Sequence, residues 1–349
     1  MRYSDFDYNR QITGIVDYYN NTDKYPDTIK TTYIPENFQD NSSQVFKAKA
    51  TQYGSFATHT WQATNNILIN LGIRSDYFEL NKQLTFSPRT SIAYAILPGL
   101  KATASWGIYN QTPIMKQIKF SYVTANNTKS QEATHYILGI EKKNQDITMK
   151  VEMYYKKYND LIPVHRSTLG ELMYEVKDNT AEGYAKGIDC EFIVTKKYFD
   201  VWFNYSLCEA KERLNGTSDY YSRYTDQRHC VSSLVSFKFP KRIGFDIKET
   251  YGSGYAYQLK TFDNSTNQWV TGDEIKTSHL PYYNSFDIRF KKEFTLFSRS
   301  LLFYADIMNL FNKHNVIGHY YGTDINGKPS DGDNKFMGML PTFGLTYIF

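Results

Sequence analysis

Histidine is the residue type in this chain best suited to binding a metal or moving a proton near neutral pH, and the chain has seven. Their spacing matches no zinc-binding motif. His314 and His319 come nearest, because they lie in one long polar segment where a metal or a haem-like ligand would fit between them. A pair of solvated loop histidines is the simpler interpretation, so we predict no metal site. The seven are His59, His135, His165, His229, His279, His314 and His319.

A second candidate for cation binding is the polar segment from Asp324 to Asn334, whose aspartate and asparagine oxygens are ligands that calcium prefers. The segment lacks the register of an EF-hand loop and the bidentate glutamate that closes it. Gly, Asn and Asp also tolerate the positive φ angles of tight turns. A turn-rich loop is therefore the simpler interpretation here as well.

Catalytic motifs are missing from the sequence, which contains no nucleophile elbow, P-loop, GxGxxG, HExxH or CxxC. Cys190, Cys208 and Cys230 are odd in number and widely spaced, which indicates free thiols rather than a disulfide framework. We predict no catalytic residue and no cofactor, and we do not predict an enzyme. A barrel enzyme with His, Ser and Asp scattered between its strands is the alternative.

Charge and hydropathy narrow the class of protein. The 40 Lys and Arg nearly balance the 36 Asp and Glu along the chain, so no preference for nucleic acid follows from the net charge of +4. The sequence has no apolar run near the ~18 residues that a membrane helix requires. Its mean hydropathy is −0.55. That value does not exclude a membrane β-barrel, because barrel strands show lipid one face and water the other.

Apolar residues recur every second position, which is the period of β-strands. Ile147, Met149, Val151, Met153 and Tyr155 share one face of such a segment, whereas Lys150 and Glu152 lie on the other. The same alternation recurs along the chain and predicts about fourteen strands, with almost no helical pattern. Further examples begin at Ile67, Leu100, Ile188, Val201, Val231, Phe286 and Leu301.

The connections between these segments alternate between short and long. Tight turns are predicted at residues 65–66, 98–99, 144–146, 196–197, 240–241 and 295–298, and long polar loops at about 20–43, 111–132, 159–183, 209–229, 252–282 and 313–336. The link at 81–83 is the exception, because it is short where a long loop is expected. In an up-and-down arrangement, alternate connections emerge on the same side. Sorting by length is typical of outer-membrane barrels, with short periplasmic turns and long extracellular loops.

These patterns predict an all-β fold, an antiparallel up-and-down transmembrane β-barrel with about fourteen strands present. The 17% aromatic content suits the interfacial girdles of such a barrel. A soluble all-β binding domain built as a sandwich is the alternative, although Greek-key connections give no reason for loops to sort by length. The predicted location is the cell outer membrane of a Gram-negative bacterium, with outer-membrane lipid as a partner.

The last strand carries alternating apolar residues and ends in an aromatic residue. It resembles the terminal strand by which the barrel-assembly machinery recognises outer-membrane proteins, so we predict an outer-membrane assembly signal. An ordinary edge strand is the alternative interpretation. The predicted signal residues are Phe343, Leu345, Tyr347 and Phe349.

Charged residues on the inward faces of the strands are of mixed sign, which favours a hydrated ladder of ion pairs over a ligand site. They are Lys150, Glu152, Asp189, Glu191, Asp287, Arg289, Lys291 and Asp306. Aromatic loop residues are candidates for ligand contact, since aromatic faces suit sugar and chelate ligands alike. Interface anchoring explains many of them equally well, and the sequence leaves the ligand-binding residues unknown. These aromatic residues are Tyr220, Tyr221, Tyr224, Tyr255, Tyr257, Trp269, Tyr282, Tyr283, Tyr320 and Tyr321.

Several short motifs, in order along residues 44–349, resemble the C-terminal barrel of a TonB-dependent outer-membrane receptor of the kind found in Bacteroidetes. The closing block is the best match: FDIR at 286–289, DIMNLFN at 306–312, LP at 340–341 and the terminal Phe. The earlier motifs are INLGIRSDY at 69–77, LTFSPR at 84–89, SWGIYNQTP at 105–113, GYAKGID at 183–189 and DQRH at 226–229. Departures from the family pattern occur at Asp189, Ser75 and Cys230, and they bear on local packing.

The resemblance implies uptake of a scarce nutrient, such as a siderophore, cobalamin, glycan or peptide. Family members have a signal peptide, a plug domain through which they contact the TonB complex, and a barrel of 22 strands. The sequence shows neither signal peptide nor plug, so we expect residues 1–349 to be one partial barrel domain, the C-terminal part of a 22-stranded barrel. The alternatives are a passive fourteen-stranded channel, a non-functional receptor remnant, or a structural or adhesive barrel.

Overall fold

The computed structural model describes residues 5–19, 45–79, 81–113, 128–166, 172–174, 179–272 and 274–348. Fourteen long strands form one antiparallel sheet in which each strand pairs with its neighbours in chain order. The predicted all-β, up-and-down arrangement is confirmed. The fourteen are β1 (Asp5–Tyr19), β2 (Val45–Thr64), β3 (Ile67–Phe78), β4 (Gln83–Leu97), β5 (Leu100–Gln111), β6 (Gln131–Lys143), β7 (Ile147–Leu161), β10 (Ala181–Thr195), β11 (Phe199–Leu214), β13 (His229–Phe239), β14 (Ile243–Gly252), β19 (Tyr283–Leu296), β20 (Arg299–Met308) and β23 (Leu340–Ile348).

Short strands occupy the long connections, mostly as two-stranded pairs of their own. In the connection between β11 and β13, the short strand Tyr221–Ser222 instead adds to β11. A 3-10 helix, Pro240–Arg242, makes one of the tight turns. Among the described residues, no helix is long and apolar enough to cross a membrane. The short strands are β8 (Val164–Arg166), β9 (Leu172–Tyr174), β12 (Tyr221–Ser222), β15 (Ala256–Gln258), β16 (Thr261–Asp263), β17 (Gln268–Val270), β18 (Thr277–His279), β21 (Val316–Thr323) and β22 (Pro329–Lys335).

The two faces of the sheet differ in the way that the alternation predicts. Along β7, Met149, Val151 and Met153 are exposed, with Met153 at 51%, whereas Lys150 and Glu152 between them are only partly exposed. We call the side of Met153 the outward face and the side of Glu152 the inward face. A soluble sandwich would bury its apolar face against a second sheet. Here that face is the exposed one, as in a barrel wall that meets lipid.

Buried apolar side chains collect instead where the strands run into the long loops. Leu161, Ile162 and Ala181 lie at the junctions around β7 and β10, and Ala256 and Leu280 lie in the connection between β14 and β19. This distribution argues against the soluble sandwich, because the packed apolar side chains hold loops together rather than two sheets.

The lengths of the connections confirm the predicted sorting. Residues 65–66, 98–99, 144–146, 196–198, 240–242 and 297–298 make six tight turns, and long connections alternate with them except at 79–82, the expected exception. Phe297 and Ser298 both have positive φ, 48° and 62°, which is the backbone of a two-residue hairpin turn of type I′. The turn forms without the Asn-Gly pair that usually marks it.

The last strand, β23, places its alternating apolar residues on one face of the sheet, as the sequence predicts. β23 pairs with β20, where Phe343 is opposite Ala305 and Leu345 is opposite Phe303. Phe343 and Leu345 are 83% and 68% exposed on the outward face. Phe349, the terminal residue of the predicted signal, lies outside the described residues, and the assembly role of this strand stays a prediction.

Inward charges of opposite sign lie opposite one another on neighbouring strands. Lys101 is opposite Glu141, Glu141 opposite Lys150, and Lys150 opposite Glu191, so the sign alternates over four neighbouring strands. Further along the sheet, Arg289 makes a bidentate pair with Asp306 at 2.7 and 2.8 Å, and Lys291 pairs with Asp246 at 2.8 Å. Asp287 is opposite Lys248, and its carboxylate also accepts Ser285 Oγ–H and the backbone N–H of Asn309.

Two inward tyrosines lie flat against the wall where the neighbouring strand carries glycine. A Cβ at Gly344 would overlap the ring of Tyr304, and one at Gly187 would overlap the hydroxyl end of Tyr154. Gly344 is opposite Tyr304, and Gly187 is opposite Tyr154. Each ring therefore occupies the space that a side chain on the next strand would fill.

Candidate ligand-binding site

A buried carboxylate fastens two of the long loops to the wall. Asp226 precedes β13 and is only 1% exposed. Its Oδ1 accepts the backbone N–H of Ala210 in β11 at 2.7 Å, and its Oδ2 lies 2.9 Å from His279 Nε2 in β18. An ionised carboxylate only accepts hydrogen bonds, so Nε2 is the donor. Asp226 thus ties the β14–β19 connection to the end of β11.

A second buried pair stiffens the same corner. Glu212, at 1% exposure, accepts Nε–H of Arg223 at 2.9 Å. The Arg223 guanidinium lies 4.8 Å from the ring centroid of Tyr158 and 5.2 Å from that of Tyr224. A buried charge is tolerated when a partner of opposite sign and aromatic faces surround it. The connection between β11 and β13 is therefore anchored at its base.

Aromatic residues join the β14–β19 and β20–β23 connections to each other. Trp269 Nε1–H donates to the carbonyl oxygen of Gly322 at 2.7 Å, and its ring centroid lies 4.9 Å from that of Tyr321. His319 lies 4.9 Å from Tyr321 and stacks on Tyr257 at 4.8 Å. Burial raises the pKa of the Tyr321 hydroxyl above its ordinary value, partly opposed by a backbone hydrogen bond from Lys260.

The side chains considered above as cation ligands, in His319 and in the segment from Asp324 to Asn334, make hydrogen bonds within these loops. His319 Nδ1 is 2.9 Å from Asp333 and Nε2 is 3.2 Å from Asp331, so both ring nitrogens face carboxylates. Asp324 accepts the backbone N–H groups of Asn326 and Lys328 and thereby closes a turn. Among the described residues, no group of three or more His, Cys, Asp or Glu side chains is arranged so that it could hold a metal ion. The segment from Asp324 to Asn334 forms a turn and one strand of the β21–β22 hairpin, and the absence of a cation site there stays a prediction.

Another acidic residue closes the small hairpin of β16 and β17. Asp263 accepts Ser265 N–H at 2.8 Å, Ser265 Oγ–H at 2.7 Å and Thr266 Oγ–H at 2.9 Å. These bonds, led by the Ser265 hydroxyl, lower the pKa of the Asp263 carboxyl below its ordinary value.

The fastened loops border a half-open cavity of about 640 Å³ against the inward face of the sheet. That volume falls within the roughly 300–1,000 Å³ typical of small-molecule sites. The wall contributes Asn204 and Ser206 from β11, Ser232 from β13 and Thr250 from β14. The loops contribute mainly apolar and aromatic residues, namely Tyr255, Leu280, Pro281, Val316, Ile317 and Phe336.

Loop backbone geometry at this cavity depends on Gly254, which also lines it. Its φ is +79°, and a Cβ there would overlap the carbonyl oxygen of Leu280. Leu280 N–H donates to the carbonyl oxygen of Tyr255 at 2.9 Å, which keeps both residues at the cavity. Because Leu280 follows His279 directly, the bond between His279 and Asp226 also fixes this part of the lining.

A smaller cavity of about 250 Å³ adjoins the first, since Asn204 and Ser206 line both. Its charged lining consists of Lys150, Glu152, Asp189 and Glu191. Lys150 Nζ lies 2.8 Å from Glu152, so its charge is already matched by one carboxylate. The smaller cavity therefore carries an excess of negative charge.

The ten predicted aromatic loop residues fall into separate groups. Tyr255 and Tyr283 line the large cavity, whereas Tyr257, Trp269 and Tyr321 belong to the aromatic cluster that joins the loops. The other five lie outside both groups. Tyr220 packs against Tyr184, and Tyr282 packs against Tyr251 and beneath Lys313. Tyr224 lies beneath Arg223, Tyr320 lies beside Gly332, and Tyr221 in β12 is opposite Glu212.

Sequence reasoning missed the wall residues of the cavity. Asn204 is opposite Ser232, and Ser232 is opposite Thr250. They continue the row Lys101, Glu141, Lys150 and Glu191, since Glu191 is opposite Asn204. A change from alternating charges to small neutral residues is thus a signal in the sequence. It becomes visible only when the register between strands is known.

Comparison with known proteins agrees with this geometry. A family model described as TonB dependent receptor-like, beta-barrel matches residues 2–310. A search of curated proteins finds no match. The solved structures that resemble the fold are outer-membrane transport proteins.

Three of these structures illustrate the likeness. The ferric enterobactin receptor PfeA from Pseudomonas aeruginosa is 15% identical with a TM-score of 0.61, over 91% of this chain and 47% of that one. The siderophore receptor PirA from Acinetobacter baumannii is 12% identical with a TM-score of 0.64, over 87% and 46%. The outer membrane transporter YddB from Escherichia coli is 14% identical with a TM-score of 0.60, over 87% and 46%. The chain thus spans less than half the length of each, and identities this low show the fold alone.

Proposed function

The chain belongs to the TonB-dependent receptor-like β-barrel family, and we propose from this premise that it takes part in TonB-dependent uptake of a scarce nutrient. The family and its solved members are transporters of the outer membrane, which gives the location of the chain. The nutrient class, whether siderophore, cobalamin, glycan or peptide, belongs to the proposal. A Bacteroidetes-type origin stays a prediction.

One observation supports uptake most directly, namely the cavity of about 640 Å³ between the inward wall and the fastened loops. A receptor that captures a dilute nutrient needs a preformed site on the extracellular side, and preorganised loops lower the entropy lost on binding. Asp226 and the Trp269 cluster provide such preorganisation. A structural or adhesive barrel has no need of a preformed site against its inward wall.

Energy for release from such a site would come from the TonB complex through a plug domain inside the barrel. The inward charge ladder supports this proposal, because paired charges on a barrel wall suit a hydrated, polar partner. Outer-membrane lipid would cover the outward apolar face. The barrel-assembly machinery would recognise β23 through Phe343, Leu345, Tyr347 and Phe349. We propose no enzymatic activity, since the family consists of receptors and transporters.

Uptake assays test the proposal. The full-length protein is expressed in a Gram-negative host that lacks its own receptors, with and without a functional TonB complex. Cells are supplied separately with labelled ferric siderophores, cobalamin, oligosaccharides and oligopeptides. Receptor-dependent uptake that disappears without TonB is expected. Uptake that persists without TonB would favour the passive channel, and a protein that promotes no uptake in either host would overturn the proposal.

A further inference from the structure

The large cavity is notable for the absence of charged groups from its lining. Among the described residues that line it, none is Asp, Glu, Lys, Arg or His. The surrounding barrel wall is rich in charges, as the Lys101 to Glu191 row shows. The neutral lining is therefore a local property of the site rather than of the whole inward face.

The neutral groups in the lining are of two kinds. Asn204, Ser206, Ser232 and Thr250 offer amide and hydroxyl groups, which both donate and accept hydrogen bonds. The loops contribute the apolar part of the lining, namely the aromatic and aliphatic side chains of Tyr255, Leu280, Ile317 and Phe336. A ligand that satisfies both has hydroxyl groups along one side and an apolar face on the other.

Charged residues next to the large cavity also favour uncharged ligands over anionic ones. The adjoining smaller cavity carries Glu152, Asp189 and Glu191 against the single amino group of Lys150. An anionic ligand would lose its hydration on entering the large cavity without gaining a cationic partner. It would also meet unfavourable potential from these nearby carboxylates. Both effects oppose a multiply charged anion.

We propose that the cavity selects an uncharged, hydroxyl-rich ligand of the oligosaccharide class and rejects multiply anionic metal chelates. The inference rests on the proposed uptake function and names the class of nutrient for the same site. It separates this chain from structural neighbours such as the ferric enterobactin receptor of Pseudomonas aeruginosa.

Binding to the full-length protein in detergent tests the inference, with calorimetry as the readout. The probes are a panel of uncharged oligosaccharides and ferric enterobactin as the anionic chelate. At least one oligosaccharide is expected to bind and ferric enterobactin is not. Ser232→Arg places a cation and extra bulk at the wall of the cavity, so oligosaccharide affinity should fall by about tenfold or more. Phe336→Ala removes an apolar face and should weaken binding by roughly fivefold or more.

The matched control is Ser236→Arg, which makes the same change on the same strand and face but outside the cavity. Ser236 is opposite Asp200 and Asp246, so an arginine there finds carboxylates. Oligosaccharide affinity should stay unchanged in this variant, which also shows that an added arginine allows folding. Phe336→Ala serves where Ser232→Arg fails to assemble.

Two results would overturn the inference: binding of ferric enterobactin that Ser232→Arg strengthens, or no binding of any oligosaccharide in the panel. A different result would show that the uptake proposal fails while the inference about the ligand class holds. Oligosaccharide binding that Ser232→Arg weakens, together with transport that does not depend on TonB, would remove TonB-dependent uptake and leave the ligand class standing.

Discussion

Asp226 and His279 meet at 2.9 Å although 53 positions of sequence separate them. The carboxylate is buried and the imidazole is about two-fifths exposed, at 1% and 39% of their side-chain surfaces. Their contact joins the segment before β13 to β18. It attaches the loop cover of the large cavity to the wall.

Replacement of Asp226 by alanine should loosen this cover. The change leaves the buried N–H of Ala210 without its acceptor and frees His279, at a cost on the order of 3 kcal/mol in the free energy of unfolding. Limited proteolysis in detergent should cut the β14–β19 connection faster. Asp219→Ala is the control, because Asp219 is exposed and bonds only to Ser218 among the contacts seen. Equal proteolysis of both variants would contradict the role given to Asp226.

Substitutions in β23 should distinguish its two faces. Leu345 lies on the outward face, and a lysine there should destabilise the protein in lipid vesicles by about 2–4 kcal/mol or block insertion. Thr346→Lys points the same group inward, where it should have little effect. Denaturant titration of the full-length protein in vesicles measures both. Similar losses for the two variants would show that the outward face does not meet lipid.

The bidentate pair of Arg289 and Asp306 should contribute modestly to stability. Side-chain exposures of 51% and 12% mean that water screens the pair, so a coupling of roughly 0.5–1 kcal/mol is expected. A double-mutant cycle with Arg289→Gln and Asp306→Asn isolates this term. A coupling near zero would mean that the ladder organises the wall without stabilising it.

Acid should loosen the β16–β17 hairpin. The folded pKa of Asp263 lies below its ordinary value of 3.8. The stabilisation of the hairpin by ionised Asp263 is therefore fully present above the ordinary pKa, and it is lost as the pH falls through the lower folded pKa. Ser265→Ala removes the largest cause of the shift, so the midpoint should move upward toward the ordinary value. Trp269 fluorescence reports the transition, and Ser218→Ala should leave the midpoint unchanged.

Much of the wall was predictable because each strand repeats one simple constraint. Met149, Val151 and Met153 lie on the outward face and Lys150 and Glu152 on the inward face, and an alternating pattern records that difference residue by residue. The strands nevertheless extend beyond the residues in which apolar and polar side chains alternate. β7 continues to Leu161, because backbone pairing with β6 and β10 persists after the exposed apolar residues end.

The cavity was not predictable, because its parts come from positions with no local signature. Ser232 and Thr250 look like any small polar residues of a strand, and only the register makes them neighbours. Val316 begins a hairpin far along the chain whose strands lack clear alternation, and Phe336 directly follows that hairpin. DQRH at 226–229 resembled a family motif, but only the structure shows that Asp226 is the buried anchor of two loops.

The flat tyrosines beside Gly187 and Gly344 shape the inward face of the sheet. With a larger residue at position 344, the ring of Tyr304 would have to stand away from the wall. At position 187 a side chain would meet the backbone carbonyl oxygen of Leu207 as well as Tyr154, so a shift of the tyrosine alone would not make room for it. Two residues that contribute no side chain thus set how far these rings project from the wall.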